Sequence, residues 1–203
     1  MIEDFNLKKV TSPLLLHLIG RELPMPRLFL WRCKLTVGRL KRRIDPRFPA
    51  ELVDLVALPV WVYMHLKERL GPEKAFEIMR VAILTGGLAK WNLQFDTVAV
   101  PRTFENLCAQ EKRMNDTGIT RWNTLDVVEQ TDRRFELKVT RCLYHELACS
   151  LGVPELTPVM CGIDNAANNS YLADHVVFHR GGPGHRISDG AKECRFVWER
   201  TDV

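Results

Sequence analysis

The sequence lacks the features of several common protein classes. It begins MIED, which is acidic where a secretory signal would carry a basic region before an apolar run. Its longest apolar stretch, residues 52–66, is interrupted by Asp54, Pro59 and His65 and is too short to span a bilayer. We therefore expect a cytoplasmic protein with no membrane span.

Charge and composition exclude further classes. The net charge at pH 7 is only +4 over 203 residues, which does not require a nucleic-acid partner. A hydrophobic content of 46% and a charged content of 27% are typical of a soluble globular protein rather than a disordered one. Because the chain contains neither an internal repeat nor a linker, we expect residues 1–203 to form a single domain.

The basic segment 39–47 is a local exception to this balanced charge. It follows a stretch whose other helical face is apolar, so a solvated helix face is the favoured interpretation. Binding of a membrane surface or of an acidic partner is the alternative.

Apolar periodicity and the positions of proline and glycine predict a helical scaffold over residues 1–118. The first helix is expected to begin at Ser12, as N-cap, and Pro13. The predicted helices cover residues 13–19, 26–44, 50–70, 73–90 and 101–114.

The pattern changes to alternation after residue 118. Residues 119–203 predict two strands, two helices and two further strands around a glycine-rich turn at 181–184. The segments are 119–130, 134–141, 142–151, a helix from 154, 176–179 and 194–199. The expected fold is α+β, with a helical N-terminal half packed with a small antiparallel sheet and C-terminal helices that carry the site.

Reactive side chains are concentrated in this C-terminal region. Thiols, imidazoles and carboxylates supply nucleophiles, proton carriers and metal ligands. Those between residues 142 and 194 include Cys142, His145, Cys149, Cys161, Asp164, His179, His185 and Cys194.

Two helical spacings organise these groups. Cys142, His145 and Cys149 follow i, i+3, i+7, and Cys161 and Asp164 follow i, i+3, so each set shares a helix face. A thiol near an acid and an imidazole can lose its proton to a base, whereas a buried, inert cysteine is the alternative.

Cysteine and histidine could also form a structural zinc site. The candidate ligands are Cys142, His145, Cys161 and Cys194, but their spacing lacks the paired C-x-x-C knuckles of zinc modules. We therefore expect no metal cofactor, with zinc as the alternative.

Several short motifs occur in a characteristic order: GVPEL at 152–156, Cys161 with Asp164, VFHR at 177–180, and CRF at 194–196. Together they resemble the L-2-amino-thiazoline-4-carboxylate hydrolase family over about residues 135–199. Arg195 departs from the acidic residue that is usual there in the family.

The resemblance implies a hydrolase that opens a C–N bond of a small cyclic amidine, giving N-carbamoyl-cysteine from aminothiazoline carboxylate, or a relative that has diverged to a biosynthetic reaction. The family is distantly similar to vinyl-reductase-type domains. A non-catalytic small-molecule-sensing domain is therefore one alternative function, and a zinc-stabilised module is another.

In the hydrolase hypothesis, Cys161 attacks the electrophilic carbon, His145 carries the proton, and Asp164 orients the imidazole or a water molecule. We expect Cys161 to alkylate before Cys33 and Cys108, with a pKa below the free-thiol value of about 8.5. The remaining residues expected to bind the small-molecule substrate are Cys142, Cys194, His179 and Asn165.

Overall fold

The computed structural model describes residues 7–98, 101–180 and 185–201. These residues form the expected α+β fold. The elements in chain order are α1 Leu7–Gly20, α2 Pro26–Thr36, α3 Gly38–Lys41, α4 Ala50–Leu70, α5 Pro72–Val98, α6 Phe104–Asp116, β1 Thr124–Gln130, β2 Arg134–Arg141, α7 Leu143–Ser150, α8 Leu156–Tyr171, β3 Val176–His179, a 3-10 helix Ile187–Asp189, and β4 Cys194–Arg200. Helices α1 to α6 precede the first strand of one antiparallel sheet, and helices α7 and α8 lie between its second and third strands in the chain.

The chain divides into two compact units, residues 1–89 and 90–203. The first is helical, and α4 supplies much of its core through residues at helical spacing, among them Leu52, Tyr63 and Leu66. The second contains the sheet and the helices α6, α7 and α8. That the whole chain is one domain stays a prediction. None of the helices in the described ranges is both long and apolar enough to cross a bilayer.

Several predicted boundaries were wrong. Helix α1 begins at Leu7 and contains Pro13, which therefore does not start it. The helix predicted over 26–44 is divided into α2 and α3 on either side of Val37, and it ends at Lys41 rather than at Ile44. Strand β1 begins at Thr124 rather than at 119, because the preceding residues turn back toward α6: the Thr120 N–H donates to the Met114 carbonyl. The turn predicted at 181–184 lies outside the described residues.

The sheet has the order β1-β2-β4-β3, and every neighbouring pair is antiparallel. Alternation along the strands gives it two different faces. One is an aromatic core in which Trp198, fully buried, stacks on Phe135 at a centroid distance of 5.3 Å and packs beside Phe178. Side chains of α6 and Tyr171 of α8 complete this core. The core face therefore orients α6 and α8 against the sheet.

The opposite face of the sheet carries a network of ion pairs. Glu136 of β2 accepts hydrogen bonds from Arg134 and from Arg195 of β4, and Arg134 also pairs with Glu199. Burial alone would raise the pKa of Glu136, but the two guanidinium groups outweigh that effect and lower it. The buried Glu136 carboxylate is paired with two guanidinium groups, so its burial leaves no uncompensated charge on this face of the sheet.

Candidate functional site

Helix α8 presents a polar face to the sheet. Cys161, Asp164, Asn165 and Asn168 are spaced i, i+3, i+4 and i+7, so they lie along one side of the helix. Buried Asn168 accepts a hydrogen bond from Trp198 Nε1 at 3.0 Å and donates through Nδ2 to the Asp164 carbonyl at 2.9 Å. The aromatic core therefore fixes the rotation of α8 and the position of Asp164.

Arg180, directly after β3, is the cation of the site. Arg180 is buried, with only 7% of its surface exposed. It donates through Nη2 to Asp164 Oδ2 and through Nε to Asn165 Oδ1, both at 2.7 Å. Its guanidinium lies 4.0 Å from the centroid of the Phe196 ring. These contacts hold the planar cation in one orientation beside the carboxylate.

Three cysteines from different elements interact electrostatically with Asp164. Cys142 is the N-cap of α7, Cys161 lies in α8 and Cys194 begins β4. The Ile187 N–H donates to Cys194 Sγ at 3.0 Å, and Cys161 Sγ lies 3.8 Å from Ser188 Oγ. The charge of Asp164 is among the causes that raise the pKa values of all three thiols.

A second acidic residue, Glu111 of α6, is affected by the charge of Asp164. Burial, and then the Asp164 charge, raise the pKa of Glu111 to about 8. Burial also raises the pKa of Asp164, against the opposing effect of Arg180, although the Asp164 side chain is 39% exposed. A carboxylate that solvent reaches but protein largely surrounds is accessible to a small ligand. We call these residues the Asp164 cluster: Glu111, Cys142, Cys161, Asp164, Arg180 and Cys194.

The thiols of the cluster are not activated in the way the sequence suggested. Burial, followed by the Asp164 charge, raises the pKa of Cys161 to about 11, and burial likewise raises the pKa values of Cys142 and Cys194. The expectation that the pKa of Cys161 lies below the free-thiol value is therefore wrong. A nearby acid makes a thiol harder to ionise when no cation outweighs it.

The imidazole of His145 contacts Thr157 and Cys149 rather than Cys161. Its Nδ1 lies 3.3 Å from Thr157 Oγ1, and its Nε2 lies 3.5 Å from Sγ of the exposed Cys149. Helical spacing brought His145 and Cys149 together, as the sequence indicated, but the contacts of Cys161 are made with Ser188 and Arg180.

His179, expected in the substrate site, points to the ion-pair face of the sheet. Its Nε2 lies 3.2 Å from Glu199 Oε2, and its side chain is 41% exposed. Strand alternation puts it on the opposite face from its buried neighbour Phe178. Asn165, also expected there, accepts a hydrogen bond from Arg180 Nε at 2.7 Å.

Among the described residues, no three His, Cys, Asp or Glu side chains are placed to hold a metal ion. The structure therefore contains no preformed zinc site in these residues. His145, one of the four candidate ligands, has its ring in contact with Thr157 and Cys149.

Sequence reasoning missed two residues of the cluster. Arg180 belongs to the VFHR motif, but nothing local shows that its charge meets Asp164. Glu111 carried a usable signal: it occupies the apolar stripe of α6, at i+3 from Cys108 and i+4 from Leu107. An acid on a buried stripe is uncommon and indicates a partner or a function.

We predict that brief treatment with iodoacetamide labels Cys149 before any other cysteine. Cys149 is exposed and adjacent to an imidazole, whereas burial raises the pKa of Cys33 to about 11 and of Cys108 to about 12. A thiol with a pKa near 11 is ionised to only about one part in 10⁴ at pH 7. Peptide mapping of the labelled protein measures the order. Labelling of Cys161 first would contradict both its burial and its raised pKa.

Comparison with known proteins gives one strong match. The family model described as L-2-amino-thiazoline-4-carboxylic acid hydrolase matches residues 52–198. Among curated proteins, none matches the chain. A crystal structure of a mutant H-NOX protein from K. algicida, in its Fe(II) unliganded state, is 10% identical over 95% of both chains with a TM-score of 0.33. At that score the likeness supports no inference about this chain.

Proposed function

Because the chain belongs to the L-2-amino-thiazoline-4-carboxylic acid hydrolase family, we propose that it hydrolyses a small cyclic amidine of the 2-aminothiazoline-4-carboxylate type at the Asp164 cluster. The family's name is that of a hydrolase. The observation that carries the proposal is the Asp164 carboxylate, 39% exposed, which the buried Arg180 guanidinium holds at 2.7 Å.

The charges of the cluster complement such a substrate. An aminothiazoline carboxylate carries a planar amidine group, which is cationic when protonated, and a carboxylate. Asp164 offers an acceptor to the amidine N–H groups, and Arg180 and Arg186 bring positive charge near Cys194. Paired recognition of opposite charges orients a small ligand as well as binding it.

The balance of atoms changes one detail of the sequence-based expectation. N-Carbamoyl-cysteine keeps both C–N bonds of the amidine carbon, so the ring bond that breaks is the C–S bond. Water adds to the amidine carbon, the tetrahedral intermediate re-forms a C=O bond, and the ring sulfur departs with the electron pair of the C–S bond. The two hydrogens of the water end on the ring nitrogen and on the sulfur.

Two carboxyl groups suit the two proton transfers. Asp164, ion-paired with Arg180, is the proposed base that takes a proton from the attacking water. Glu111, with a pKa of about 8, holds a proton at neutral pH and is the proposed donor to the leaving sulfur. A catalytic acid or base works best when its pKa lies near the operating pH.

Cys161 then lines the site rather than attacking. A thiol with a pKa of about 11 is a weak nucleophile at neutral pH, and the Asp164 charge affects this pKa more strongly than the opposing charge of Arg180. We propose that Cys142, Cys161 and Cys194 pack against the substrate ring. Attack by Cys161 is the rival first step, and a Cys161→Ala variant distinguishes the two, because only the thiol route loses its nucleophile.

The test is incubation of the purified protein with L-2-aminothiazoline-4-carboxylate. We expect a product heavier by one water molecule, together with a new free thiol detected by a disulfide reagent. Cys161→Ala should retain activity within about tenfold, since it removes a lining group and not a proton carrier. The control is Cys108→Ala, a buried cysteine outside the Asp164 cluster.

Two outcomes would count against the proposal. Binding of the amidine without turnover would favour the ligand-sensing alternative. Complete loss of turnover in a folded Cys161→Ala protein, with normal turnover in Cys108→Ala, would replace water by the Cys161 thiol as the nucleophile.

A further inference from the structure

Helix α2 exposes an unusual set of large apolar side chains. Leu28, Trp31 and Leu35 are 45%, 57% and 63% exposed, and Met25, just before the helix, is 67% exposed. The three helical residues are spaced i, i+3, i+7 and so form one stripe. The opposite face is the one that packs inward, through Phe29 and Cys33. We call Met25, Leu28, Trp31 and Leu35 the α2 stripe.

The stripe continues into a line of arginines. Val37, between α2 and α3, keeps right-handed helical dihedral angles, and its N–H donates to the Cys33 carbonyl. The helical path therefore carries on into α3. Arg39 and Arg42, at i+4 and i+7 from Leu35, extend the same side of the helix and are exposed. One continuous surface is thus apolar at its N-terminal end and basic at its C-terminal end.

The charged residues of α2 and α3 are all basic, although Lys41 pairs with the exposed Asp54 of α4 at 2.6 Å. Between Met25 and Ile44 there is no acidic residue, and the basic residues are Arg27, Arg32, Lys34, Arg39, Lys41, Arg42 and Arg43. Since the whole chain carries only +4, the rest of the chain is net negative. Positive charge is therefore concentrated in this segment, and Arg39 and Arg42 bring part of it to the side of the stripe.

We propose that the α2 stripe and its arginines bind the surface of an anionic membrane. An exposed helix with aliphatic and Trp side chains flanked by Arg and Lys fits the boundary between lipid headgroups and acyl chains, where lipid phosphates neutralise the basic residues. A second copy of the chain is disfavoured, since a twofold contact would bring the same arginines together. The stripe is also a convex helix surface rather than a groove that receives a peptide.

The experiment is sedimentation of the full-length protein with vesicles of phosphatidylcholine alone, or of an equal mixture of phosphatidylcholine and phosphatidylglycerol. We expect binding to the mixed vesicles only, decreasing as salt is raised. Trp31→Ser with Leu35→Ser, and separately Arg39→Gln with Arg42→Gln and Arg43→Gln, should each weaken binding about tenfold or more. Each of these side chains is exposed, so the variants should fold normally.

The matched control is Val127→Ser with Val177→Ser, which removes two apolar side chains of similar exposure, 48% and 46%, from the sheet. It should bind as the unchanged protein does. Failure of the unchanged protein to bind the mixed vesicles, or equal binding by the stripe variants, would overturn the proposal. A dimer in sedimentation velocity that Trp31→Ser with Leu35→Ser converts to a monomer would assign the surface to self-association instead.

Discussion

Replacing Asp164 by asparagine should lower kcat/KM for L-2-aminothiazoline-4-carboxylate by about 10³-fold, mainly through kcat. Asparagine keeps the size of the side chain and can still accept the hydrogen bond from Arg180 Nη2. It cannot take a proton from water, and removal of a positioned base typically costs about 10²–10⁴-fold in rate. Steady-state kinetics of the purified variant, with circular dichroism to confirm folding, measure the effect.

The matched control is Asp174→Asn, because Asp174 is an exposed acid shortly after α8 in the same compact unit. Its kinetics should be unchanged. An Asp164→Asn protein with a raised KM and an unchanged kcat would show that Asp164 only binds the substrate, and the general base would then have to be sought at Glu111.

Replacing Trp198 by alanine should lower the free energy of unfolding by about 3–5 kcal/mol, the usual cost of removing a large buried aromatic side chain. Trp198 is fully buried, stacks on Phe135 and packs beside Phe178. Its loss also leaves Asn168 Oδ1 without its donor inside the core. Urea unfolding followed by circular dichroism measures the change.

Two further variants separate packing from hydrogen bonding at this position. Trp198→Phe keeps an aromatic ring but not the Nε1 donor, so it should cost less than the alanine variant. Val177→Ala, on the exposed side of β3, should change the unfolding free energy by no more than about 0.5 kcal/mol. Equal effects of Trp198→Ala and Val177→Ala would mean that the aromatic core does not stabilise this unit.

Local sequence patterns were sufficient to predict many of the helices and strands. The prolines and glycine around α4 located its ends at Ala50 and Leu70, and alternation located β2 and β3 with their observed bounds. It also placed Cys161 and Asp164 on one face of α8. These features follow from the helical and strand periods, which relate only residues close in the chain.

The composition of the site depended on contacts between distant segments. Arg180 meets Asp164 because β3 ends beside α8, and the charge of Asp164 affects Glu111 of α6. The sequence by itself determined which side chains share a helix or strand face, and that the family is one of hydrolases. Only the tertiary structure decided that His179 pairs with Glu199 on the other face of the sheet, and that burial raises the pKa of Cys161, because strand pairing and desolvation are properties of the packed chain.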